Sequence, residues 1–73
     1  MNKHWKMNRV VGARSWSREN AGRKAGVMEI VPDSEYGLIC MDAEQVGNKK
    51  FDTLLEALKF GDDFVEGGFD AYV

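Results

Sequence analysis

The side chains able to do chemistry are few in this chain and stand apart from one another. His4 lies beside Trp5 near the start, with no acid close in sequence to orient it, and reads as a solvated histidine of a terminal segment. Cys40 is the single cysteine and sits in the most apolar run, Leu38-Ile39-Cys40-Met41, where a thiol behaves as a small buried hydrophobe. It has no partner for an intramolecular disulfide, and together with His4 it falls short of a structural zinc site. Asp62, Asp63 and Glu66 offer oxygens to a divalent cation. They lack the oxygen-rich loop and turn glycine of a calcium site, so an exposed acidic helix face is the plainer reading. Gly22-Arg23-Lys24-Ala25-Gly26 carries glycines and bases suited to a phosphate, without the G-x-x-x-x-G-K-[ST] order or the strand-to-helix setting of a phosphate loop. Catalysis needs a nucleophile with a base in reach, an acid–base pair of separated pKa, or a metal. None is visible, and the sequence predicts a non-enzyme with no cofactor, no metal and no small-molecule substrate.

What the chain does have is sorted charge. Residues 1–25 hold seven Lys and Arg against Glu19 alone, a charge of +6, whereas the stretch from Asp52 onward stands at −5. The middle adds −3, so a net −2 over 73 residues conceals a strong dipole. Such asymmetry points to a surface that meets a charged partner. In the basic third, Trp5 and Trp16 are interleaved with Arg9, Arg14 and Arg18. Arginine forks pair with phosphates and carboxylates, indoles stack on bases, and both residue types dominate protein interface hot spots. Arg14, Trp16, Arg18, Arg23 and Lys24 are therefore the expected partner-binding residues. The plainer alternative is that Trp16 plugs the small core while the bases are solvated.

These residues need a scaffold, and the chain has room for a single small domain. A lone thiol and the polar start Asn2-Lys3-His4 suggest a reducing cytoplasm, and no apolar run approaches the ~20 residues of a membrane span. Residues 1–9 read as a mobile basic arm. Val10 to Trp16 suggests a short strand weakened by Gly12, and Ser17 to Gly26 a basic loop. Val27–Val31 and Tyr36–Met41 are β-rich runs around Pro32-Asp33-Ser34-Glu35, which predicts a hairpin over 27–41. Asp42 to Lys50 reads as a polar connection. Thr53 and Glu56 have capping-box spacing, and Leu54, Ala57, Leu58, Gly61, Phe64 and Val65 fall within an arc of about 120°, so an amphipathic helix is expected over about 53–65. Whether it ends at Gly61 is open. An acidic tail, 66–73, follows as a flexible segment. The expected fold is α+β: a small antiparallel sheet of two or three strands packed against one helix.

The basic, Trp-containing N-terminal third, the hairpin Val27–Met41, the helix Phe51-Asp52-Thr53-Leu54-Leu55-Glu56-Ala57-Leu58 and the acidic end together resemble the small lytic-phage proteins that bind host bacterial RNA polymerase, of the transcription-inhibitor and antiterminator type. The resemblance implies binding near the N-terminus of the largest subunit, β′, inside the host cell, with blocked promoter opening and read-through of terminators. It carries no binding residue by motif. Nucleic acid near that complex is a second expected contact. Two other classes fit the same residues: a stand-alone single-strand nucleic-acid-binding protein, and an acidic nucleic-acid mimic that inhibits a host defence protein.

Overall fold

The computed structural model describes residues 4–10 and 12–68. Five antiparallel strands run in chain order across one sheet: β1 (Lys6–Val10), β2 (Ala13–Asn20), β3 (Arg23–Val31), β4 (Glu35–Met41) and β5 (Val46–Phe51). One helix, α1 (Leu54–Gly67), then crosses a single face of this meander. The expectation of two or three strands is therefore corrected to five, within an arrangement that remains a sheet with one helix.

Each extra strand follows from turn chemistry. Gly12 interrupts no strand; at φ 79° it forms the corner between β1 and β2. Ala21 (φ 53°) and Gly22 (φ 80°) both take positive φ, the two-residue geometry whose twist suits a tight hairpin, so the expected basic loop is the end of two paired strands. Asp42 Oδ1 accepts from the backbone N–H groups of Glu44 and Gln45, each at 2.8 Å, and this Asx turn sends β5 back along β4. The expected hairpin over 27–41 is present. Its turn has Pro32 at the first corner, Asp33 at φ 60° and a Ser34 N–H to Val31 carbonyl bond of 3.0 Å. Lys6–Val10 is strand rather than arm, and residues 1–3 and 69–73, the ends of the expected arm and tail, lie outside the described residues.

The core lies between sheet and helix. Strand alternation sends Trp16, Ala25, Val27, Tyr36, Leu38 and Cys40 toward α1, where they meet Ala57, Leu58, Phe64 and Val65. Thr53 caps the helix by accepting from the Glu56 N–H at 3.3 Å, and its hydroxyl donates to the Glu56 carboxylate at 2.9 Å. Gly61 stays inside the helix because Trp5 needs the space. A Cβ there would stand 2.7 Å from Trp5 Cη2, and the same indole donates to Asp62 Oδ1 at 2.8 Å. The glycine thus lets an N-terminal ring lie directly on the helix backbone. Gly61→Ala gains about 1 kcal/mol of helix propensity yet is expected to lower stability by about 1–3 kcal/mol through overpacking, measured by urea unfolding. In a Trp5→Leu background the same substitution should be neutral or stabilising. A stabilised Gly61→Ala in the parent chain would mean that the ring is not seated as described.

Candidate interaction surface

Sequence reasoning singled out five residues, and the fold distributes them over three environments. Trp16 is in the core at 2 % exposure, tilted against Tyr36 with ring centroids 6.3 Å apart and covered by the Arg14 guanidinium at 5.3 Å. Its indole N–H meets no acceptor among the described residues, so packing alone holds it. The plainer reading of Trp16 is the one this burial matches; its ring is not on the surface.

Arg14, Arg18 and Arg23 point to the helix side and are engaged there. Arg14 makes a two-pronged bond to Glu29, at 3.2 and 2.6 Å. This guanidinium, against the opposing desolvation, holds the Glu29 carboxyl below its ordinary 4.5, with help from the Asp33 N–H and Tyr36. Arg18, its side chain 9 % exposed, bonds Asp62 and reaches Glu66 at 3.2 Å. Arg23 donates to the Val65 carbonyl at 3.3 Å beside the Asn20 amide at 3.1 Å. The last turn of α1 has no basic residue, so Arg23 brings positive charge from β3 to the negative end of the helix. Charge reversal at Arg14 and Arg18 would set like charges against Glu29, Asp62 and Glu66. Lys24 alone of the five projects from the other face, 3.7 Å from Glu19, with both side chains well exposed.

Among the described residues no helix lies on that other face. Its side chains form rows across the sheet: Lys6, Ser17, Gly26, Ile39, Asn48 in one, and Asn8, Ser15, Met28, Gly37, Lys50 in the next. A third row holds Glu19, Lys24, Met41 and Val46. The β1–β2 half carries Asn8, Ser15 and Ser17 with the charged Lys6 and Glu19. The β3–β5 half exposes Met28, Ile30, Ile39, Met41 and Val46, with Ile39 at 51 %. Gly26 and Gly37 leave a depression of about 440 Å³ whose lining includes Ser17, Met28, Ile39, Asn48 and Lys50 and no carboxylate. Sequence reasoning missed this face, although β3 and β4 carried its signal. Leu38-Ile39-Cys40-Met41 is apolar on both alternations, the pattern of a strand that faces apolar neighbours on two sides.

No protein-family model matches the chain, and comparisons with curated proteins and with solved structures give no match. The surface is read from its own chemistry. Among the described residues no group of three His, Cys, Asp or Glu is arranged to hold a metal ion, and no helix is long and apolar enough to cross a membrane. Burial pushes the Cys40 thiol up to about 11, which keeps it protonated and a poor nucleophile at neutral pH.

Two outcomes follow. Glu29 has a folded pKa below its unfolded value, so its contribution is complete above the ordinary carboxylate range and is lost as pH falls through the folded value. Urea midpoints measured from pH 6 down to pH 3 should fall less steeply for Glu29→Gln than for the parent chain. Cys40 should resist a disulfide reagent at pH 8 in the folded chain and react at once in denaturant; rapid reaction of the native protein would contradict its burial.

Proposed function

We propose that this chain is a non-enzymatic regulator of the lytic-phage type that acts in the host bacterial cytoplasm by docking on RNA polymerase. In this reading it occupies the N-terminal region of β′, hinders promoter opening and promotes read-through of terminators. The observation that carries a docking function is the uncovered sheet face, where five large apolar side chains stand exposed in one strip among lysines. Monomeric proteins seldom leave a contiguous apolar area of this kind without a partner for it. The polymerase as that partner rests on the whole-chain resemblance in size, charge order and element pattern.

The single-strand nucleic-acid alternative has less support. Base stacking needs exposed rings, and the aromatic side chains of the described residues lie in the core or packed against it: Trp5, Trp16, Tyr36, Phe51, Phe60 and Phe64. Nucleic-acid mimicry by the acids of α1 is weakened by Asp62 and Glu66 being committed to Arg18.

Tagged protein incubated with nuclease-treated bacterial core RNA polymerase should retain the large subunits at low salt and lose much of them at high salt. Promoter-dependent transcription in vitro should fall, and transcripts should extend past a terminator. Retention that vanishes on nuclease treatment would replace this reading with direct nucleic-acid binding.

A further inference from the structure

We infer that the β3–β5 half of the uncovered face receives an amphipathic α-helix of a partner protein, one whose apolar stripe is bordered by carboxylates. The inference rests on the docking reading above and specifies what is docked. Shape comes first. The apolar strip runs from Val46 and Met41 at one end, past Ile39 and Met28, to Ile30 at the other. Three two-residue steps along the strands make it about 20 Å long, and the two spacings from β3 to β5 make it about 10 Å wide. That footprint is one side of a helix of about 13 residues, whose diameter is about 10 Å. An extended segment adding alone to the face would cover only about half the width.

The floor suits a ridge of side chains. Met28 faces Gly37 and Ile39 faces Gly26 across the β3–β4 seam, so large and absent side chains alternate diagonally and leave a hollow at the centre. Ile30 leans over Gly37, its Cδ1 3.0 Å from where a Cβ would stand, so the open part of the hollow lies over Gly26, where among the described residues the Trp16 carbonyl at 4.0 Å is the one atom near the Cβ position.

Charge selects the partner. Lys50 borders the hollow with Asn48 and Ser17 as neutral donors, Lys24 stands beside Met41 at its end, and Lys6 lies two strands from Gly26 on β1. Of the carboxylates carried on this face, Glu19 is beside Lys24, and Glu35 stands past the far end next to the Pro32 turn. A second copy seated face to face would bring lysines against lysines. A nucleic acid would meet the lysines, but its bases stack on exposed aromatic rings, and this face offers methionine and isoleucine while the aromatic rings of the described residues lie in or against the core.

The test uses the full chain with methyl-labelled Met and Ile, and two synthetic 14-residue helical peptides. One has a leucine stripe flanked by glutamates, and the other has lysines in their place. The glutamate peptide should shift the methyl signals of Met28, Ile30, Ile39 and Met41 and bind about tenfold more tightly than its lysine twin at low salt, the scale of a few exposed ion pairs. Ile39→Glu should abolish that binding, and Lys50→Glu should narrow the difference between the peptides, with both variants checked for a native circular dichroism spectrum. Equal binding of the two peptides, shifts confined to α1, a dimer by light scattering that buries the same methyls, or an oligothymidylate that shifts them as strongly would each overturn the inference. The same variants mixed with core polymerase separate the two claims. Retention of polymerase by Ile39→Glu and Lys50→Glu equal to that of the parent overturns the surface assignment and leaves the polymerase reading standing. Peptide binding without any capture of polymerase by the parent chain supports the surface and removes the polymerase.

Discussion

A single helix can cover only one face of a sheet, and most of this molecule follows from that limit. α1 has 14 residues, spans about 21 Å and packs on β2, β3, β4 and β5. The buried Trp16, Val27, Leu38 and Phe64 collect between this helix and the sheet. The chain ahead of it supplies only strands. Among the described residues no helix covers the second face, and the exposed apolar side chains of β3 and β4 stand on it.

The same geometry explains what becomes of the charge dipole. Because α1 lies across β2 and β3, the acidic end of the chain is laid over the basic beginning. Arg18 meets Asp62 and Glu66, and Arg23 meets the carboxyl end of the helix; within the sheet Arg14 meets Glu29. Of the bases in the first third, Arg18 pairs with carboxylates of the acidic end, while Arg14 pairs with Glu29 and Asp33 and Lys24 with Glu19. On the open face, Lys24 and Lys50 stand among exposed apolar side chains. Recognition by such a surface depends on shape and desolvation first, with charge setting preference.

How much of this was legible depended on whether a signal was local. Thr53 and Glu56 mark the helix start, Pro32 and Asp33 mark a turn, and both features lie where their residue types put them. β5 was not legible, because Val46-Gly47-Asn48-Lys49-Lys50-Phe51 contains four poor strand formers in a row and owes its conformation to pairing with β4. Ala21 at positive φ is likewise a conformation that its residue type does not advertise. The pairings of Arg14, Arg18 and Arg23 join residues from 15 to 48 positions apart, so composition could report the charges but not where they cancel. The open face was readable in principle from the doubly apolar β4, once that run is taken to contact something on both sides.

Trp5 has a consequence for how the chain assembles. Every pairing within the sheet joins consecutive strands, so the meander can form by short, inexpensive loop closures. The bond from Trp5 to Asp62 is different: it spans 57 residues and presses the ring onto Gly61. That contact closes the molecule into a near-ring, with the edge strand β1 continuing directly from it. Its closure has to wait for both the meander and the helix. The first strand and the last element are thereby placed under one cooperative transition, and opening either of them at Trp5 exposes a sheet edge together with the end of the core.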